Sequence, residues 1–127
     1  MTIHSIGEFQ PQPNRPGIRT RPLIATVHGF TSFFVSEFVM DEGASVPLHT
    51  HPIEEAVVVT EGMVTIQLGE ETVTARAGSV VRIPPGVPHA LRNQARDSAR
   101  GLGGAAWNRA DFFRGATTYL EGLPPVD

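Results

Sequence analysis

Residues 43–62 read GASVPLHTHPIEEAVVVTEG, and residues 78–93 read GSVVRIPPGVPHALRN. In the first stretch one residue separates His49 from His51, so on an extended strand both imidazoles leave from the same face. Two imidazoles converging from one strand suit a borderline divalent metal ion. The pair alone does not decide the matter, because His-x-His also decorates solvated surfaces. The surroundings are ordered: five residues lie between Gly43 and His49, three between His51 and Glu55, and six between Glu55 and Gly62. In the second stretch five residues separate Gly78 from Pro84, one separates Pro84 from Gly86, two separate Gly86 from His89, and three separate His89 from Asn93. Gly62, Gly78 and Gly86 suit tight turns. Pro84 and Pro85 stiffen the approach to His89 at little cost in folding entropy.

Outward from these stretches, short β-rich runs alternate with glycines, prolines and acidic turns. Strands are expected at Leu23–Val27, Phe33–Met40, Ala56–Thr60, Val64–Leu68, Thr72–Arg76, Val80–Ile83, Ala90–Asn93 and 101–107. Val64, Ile66 and Leu68 alternate with Thr65 and Gln67, as a half-buried strand requires. Gly69-Glu70-Glu71 reads as a hairpin turn. Many short strands at close spacing predict an all-β sandwich or barrel. Residues 1–22 carry Pro11, Pro13, Pro16 and Pro22 with Arg15, Arg19 and Arg21. They read as an extended N-terminal arm that pairs with a sheet edge or a partner subunit, or as a disordered tail. The barrel is expected over 23–107. Over 108–127 a C-terminal tail is expected to pack on it, helical or irregular, with Asn108 capping a turn at 109–114 and Phe112 and Phe113 pinning it.

Composition removes several classes of function. The chain has 127 residues and no cysteine, which excludes disulfides, thiolate metal sites and a cysteine nucleophile. All ten basic residues are arginine, so Schiff-base chemistry on lysine is excluded too. A net charge of -3 and a pI near 5.9 argue against a nucleic-acid partner. No apolar run approaches the ~20 residues of a membrane-spanning helix. Residues 1–10 lack the basic start and apolar stretch of a signal peptide, so a cytoplasmic location is expected.

Position for position, the two stretches match the paired signature motifs of the cupin superfamily, and residues 43–93 resemble its small, single-barrel microbial members. The stretch between the motifs, 63–77, has the compact length of that type. The resemblance implies a double-stranded β-helix, or jelly-roll barrel, and implies His49, His51, Glu55 and His89 as ligands of one divalent ion: Fe(II), Mn(II), Ni(II) or Zn(II). Glu54 is the rival carboxylate, one residue out of step with both spacings. Three imidazoles and a carboxylate leave about one positive charge on such an ion, and an octahedral ion would keep two cis positions open. Asn93 closes the second motif and is expected to hold a strand end through its side chain. His4 and His28 read as surface or edge residues.

Side chains sharing the interior with the ion would shape a substrate pocket. Phe34, Phe38 and Met40 form one face of a strand. Val57 and Val59 follow Glu55 at period two, and Val87 and Leu91 flank His89. This set is apolar and suggests a hydrophobic or aromatic small molecule. Glu37 alternates onto the opposite face, and Arg82 and Arg92 read as surface residues. The first functional expectation is a metal-dependent oxygenase or dioxygenase acting on an enol, diketone or catechol. The alternatives are a non-redox isomerase, cyclase or lyase that resembles the polyketide cyclases of this superfamily, with the metal as Lewis acid and either metal-bound hydroxide or Glu55 released from the metal as base, and a non-catalytic binding domain. A homodimer is expected, since small cupins commonly pair.

Overall fold

The computed structural model describes residues 3–106 and 117–120. The tail turn expected at 109–114, with Phe112 and Phe113, lies outside the described residues, as does residue 107 at the end of the last expected strand. A 3-10 turn at Ile6–Glu8 precedes β1 (Gln12–Arg15) and β2 (Ile18–Ile24). There follow β3 (Phe34–Met40), β4 (Ser45–Thr50), β5 (Glu55–Glu61), β6 (Met63–Leu68) and β7 (Glu71–Arg76). The chain continues through β8 (Val80–Ile83), β9 (His89–Arg92), β10 (Ala99–Ala105) and β11 (Thr118–Tyr119).

Two antiparallel sheets face each other as a jelly-roll barrel, in the orders β1-β2-β3-β10-β5-β8 and β11-β4-β9-β6-β7. Alternation along the strands sends one set of side chains into the space between the sheets. Val57, Val59, Val64, Ile66 and Ile83 are at most 1% exposed there, with Met40 beneath them. No helix among the described residues is long and apolar enough to cross a membrane.

Most expected strands form within a residue or two of their predicted bounds. The differences cluster where proline occurs. β1 and β2 pair as a hairpin and β2 pairs along β3, so the N-terminal segment pairs with a sheet edge, one of the readings given for it, and β2 runs on past residue 22 to Ile24. The strand expected at Leu23–Val27 is instead the end of β2 followed by a 3-10 turn at Thr26–His28. β4 was absent from the expected strands. Each proline in these strands sits where pairing is irregular: the register shifts between Pro13 and Arg15, between Pro22 and Ile24, and between Val46 and His49, the interval that holds Pro47. Proline has no N–H to give a ladder and is tolerated at edges and bulges. The two sheet edges meet where Arg15 Nη2 donates to Tyr119 Oη at 3.3 Å.

Two glycines are required by close approach. At Gly62, φ is 72° and a Cβ would lie 2.8 Å from the Ser98 carbonyl oxygen. At Gly101 a Cβ would lie 2.2 Å from the Val58 oxygen and 2.7 Å from the Phe38 ring. Backbone cannot give way there as a flexible side-chain tip could. Gly101→Ala is therefore expected to cost about 2–3 kcal/mol, measured by denaturant unfolding; an unchanged midpoint would show that β5 and β10 are less closely packed than described.

Candidate metal centre

The register of β4 against β9 places His49 directly opposite His89. His51 follows β4 by one residue and turns to the same interior. The ring centroids of His49 and His89 are 4.1 Å apart, and those of His51 and His89 are 4.8 Å apart. One ligand nitrogen from each of His49, His51 and His89 lies within 4.8 Å of the others, and all three residues are buried. Glu55, the first residue of β5, reaches across from the other sheet: its Oε2 is 2.8 Å from His51 Nε2 and 3.7 Å from His89 Nε2. Thus the structure brings together all four residues implied as ligands. Glu54 points away and accepts from Arg82 Nε on the outer surface.

The carbonyls around the cluster set the tautomers. His49 Nδ1 lies 2.7 Å from Pro47 O, His51 Nδ1 lies 3.1 Å from Ile53 O, and His89 Nδ1 lies 2.9 Å from Val87 O. A carbonyl can only accept, so each Nδ1 carries a proton and donates it. The Nε2 atoms are thereby aimed at the centre, the arrangement by which metal-binding histidines are oriented from behind. His89 Nε2 is buried and has no hydrogen-bond partner. An orphaned polar atom in the interior costs about 1–3 kcal/mol; a cation at the centre of the cluster would satisfy it. The donor set and this atom both fit a metal ion.

Electrostatics agree with that reading. Burial, with His89 adjacent, lowers the pKa of His49 to about 4, so its ring is neutral and its lone pair available at neutral pH. For Glu55 burial opposes ionisation, but the hydrogen bond with His51 and the nearby His89 ring outweigh it and hold the carboxyl down at about 2. Burial likewise opposes the charge on His51, and the Glu55 contact more than offsets it, raising that pKa. Gly103 lies beside Glu55: a Cβ there would be 3.6 Å from Oε1, an ordinary contact.

The cluster opens into a cavity of about 180 Å³. Phe34, Phe38, Met40, Val57 and Leu91 line it. Val59 and Val87 do not: Val59 is fully buried in the core, and Val87 lies in the turn before β9. Ile18, Val46 and three polar residues, Asn14, Thr20 and Ser36, line it as well and were missed. Ser36 was legible, since it alternates with Phe34 and Phe38. Asn14, Ile18 and Thr20 were not, because their segment reads as an arm. Glu37 faces outward, 3.2 Å from Arg21 and 3.4 Å from Arg100. His28 lies outside the cluster, stacked on Phe9 at 4.0 Å.

A family model for the cupin domain matches residues 36–102, just over half of the chain. The chain belongs to the cupin family. Among curated relatives of this cupin, "Polyketide synthase CurC" of Streptomyces cyaneus is 33% identical over 99 residues, covering 77% of this chain and 64% of CurC. "Protein SchB" of Streptomyces halstedii is 32% identical over 99 residues, covering 77% of this chain and 72% of SchB. The solved structure of the polyketide cyclase RemF from Streptomyces resistomycificus superposes with a TM-score of 0.80 at 23% identity, covering 97% of this chain and 87% of RemF. At that identity the likeness to RemF concerns the fold. This cupin's three buried histidines form a cluster that could hold a metal ion.

Proposed function

We propose that this cupin is a metal-dependent, non-redox cyclase acting on neutral poly-β-ketone chains that close to aromatic rings. The observation that carries the reading is the His49–His51–His89–Glu55 cluster opening into an apolar cavity. The oxygenase and cyclase expectations share these ligands. The names of CurC and RemF, both polyketide-related, support the cyclase.

When bound, a divalent ion such as Zn(II) or Ni(II) supplies Lewis acidity toward a carbonyl oxygen. The protein's own groups do the rest. Phe34, Phe38 and Leu91 exclude water and hold a flexible chain folded on itself. Glu55, ionised, takes a proton from a methylene between two carbonyls. The electron pair of that C–H bond becomes the new C–C bond to a second carbonyl carbon of the same chain. The proton on Glu55 then passes to the resulting alkoxide, and loss of water completes the ring.

Zn(II)-loaded protein incubated under argon with a linear poly-β-ketone thioester is expected to release a cyclised product lighter by one water per ring. Oxygen uptake that depends on Fe(II) would overturn this in favour of an oxygenase. Recovery of the unaltered compound would favour a binding protein. Glu55→Gln keeps the volume and removes the base; the rate is expected to fall by about 10²–10⁴-fold in a protein that stays folded by circular dichroism. We also propose a homodimer, read by sedimentation of the full chain. Deleting residues 1–22 is not its test, because that removes β1 and most of β2 from the barrel wall.

A further inference from the structure

The cavity has a second set of polar groups, on strands that supply none of the candidate metal ligands. Asn14, Thr20 and Ser36 face it from the adjacent strands β1, β2 and β3, whereas the histidines and Glu55 come from β4, β9 and β5 and the turn after β4. Asn14 owes its direction to a β-bulge: Pro13 pairs with Arg19 and Arg15 with Ile18, so Asn14 is the extra residue. Bulges re-aim side chains and are common beside functional sites. Thr20, opposite Phe38, shares the inward face of β2 with Ile18. Ser36 is 9% exposed; its hydroxyl donates to the Glu37 carbonyl at 3.2 Å, which leaves its oxygen able to accept. The side chains of Asn14 and Thr20 make no hydrogen bond with another described residue. Among the described residues that line the cavity none is arginine, and the chain has no lysine.

We infer that Asn14, Thr20 and Ser36 form an uncharged oxygen-binding subsite. It takes a hydroxyl or carbonyl oxygen of a neutral aromatic or enolic molecule whose other oxygens lie at the histidine cluster. Amide and hydroxyl groups both donate and accept, so the subsite receives either form of the oxygen. Ser36 is buried and Asn14 and Thr20 are half-buried, so an analogue lacking the partner oxygen is disfavoured to the extent that their polar atoms are then left unpaired. With no cation among the described lining residues, anionic groups such as phosphate gain nothing there. That the molecule is a polyketide rests on the cyclase reading; the subsite itself requires only binding.

The test uses full-length, Zn(II)-loaded protein and titration calorimetry with two probes: an ortho-hydroxyacetyl naphthalene, and the same compound with one further hydroxyl on the distal ring. The wild-type protein is expected to bind the second about five- to tenfold more tightly, the worth of one buried hydrogen bond. In Asn14→Leu and in the isosteric Thr20→Val that ratio is expected to shrink toward one, with affinity for the first probe retained. If Asn14→Leu lowers the melting temperature sharply, Thr20→Val and Ser36→Ala carry the comparison. The inference is overturned if the ratio survives in the variants, if wild type does not discriminate, or if neither probe binds. Discrimination that the variants erase, without any ring closure of poly-β-ketones, would sink the cyclase reading and leave the subsite standing; ring closure without discrimination would do the reverse.

Discussion

His89→Ala is expected to lower affinity for a divalent ion by more than about 100-fold, because loss of residues merely behind metal ligands commonly costs 10–100-fold. Within the described cluster, His89 is the one whose Nε2 is buried and without a hydrogen-bond partner. Its ring sits 4.1 Å from that of His49 and 4.8 Å from that of His51. Removing it leaves His49, His51 and Glu55 with a gap in the donor set. The barrel is expected to stay folded, since the lost imidazole carries an unsatisfied atom whose removal offsets part of the cavity left behind. Equilibrium dialysis against Zn(II) followed by elemental analysis reads the stoichiometry, and circular dichroism reads the fold. His51→Ala should behave alike, while His28→Ala, outside the cluster, should keep one ion per chain. A His89 variant that retains wild-type stoichiometry would refute the assignment.

The second large effect falls on folding. Asn93 is fully buried at the end of β9, and its amide binds two other segments. Its Nδ2 donates to Met40 O and to Asp97 O, both at 2.9 Å, and its Oδ1 accepts from Ala95 N at 3.0 Å. Those contacts tie the end of β9 to the end of β3 and to the turn that leads into β10. Asn93→Ala strands the buried Met40 carbonyl and removes the partner of the less buried Asp97 carbonyl and Ala95 N–H, at about 1–3 kcal/mol for each group that water cannot reach. We expect a net loss of about 3 kcal/mol, or roughly 10 °C in melting temperature for a domain of this size. Asn93→Asp should be at least as damaging, because a carboxylate there would face two carbonyl oxygens and could donate to neither. Thermal unfolding of both variants measures this; a shift of a degree or two would mean that the three segments hold without the amide.

The candidate metal centre was legible through the resemblance of two motif stretches, each of them local in the sequence. His49 and His51 belong to one strand and its exit, Glu55 follows within a turn, and His89 is positioned by a proline-stiffened approach from Gly86. Val64, Ile66 and Leu68 likewise announce their strand by alternation, which reflects a half-buried sheet face. The motif spacing implied Glu55 rather than Glu54 as the candidate donor, and in the structure Glu55 lies beside His51 and His89 while Glu54 pairs with Arg82; neighbouring residues in extended chain face opposite sides.

The substrate cavity was legible only in part. Phe34, Phe38, Met40, Val57 and Leu91 reach it, but Val59, on the same face of β5 as Val57, sits deeper in the core. Period two assigns a face and says nothing of depth along the barrel. Asn14, Ile18 and Thr20 were hidden because Pro11, Pro13, Pro16 and Pro22 read as breakers. Local propensity registers only the hydrogen bonds proline cannot make. Whether an edge or a bulge exists to tolerate it depends on partners distant in the chain.

What the amino-acid order determined by itself was therefore the strand periodicity and the two motif stretches, each a consequence of residues close together in the chain, and with them the resemblance that implied His49, His51, Glu55 and His89 as candidate metal donors. Only the tertiary structure decided that the N-terminal segment is barrel wall, that a bulge turns Asn14 inward, and that Glu55 meets the histidines from the opposite sheet. These depend on pairing between β1 and β2, β2 and β3, and β4 and β9, and such register is set by packing of the whole barrel rather than by any single stretch.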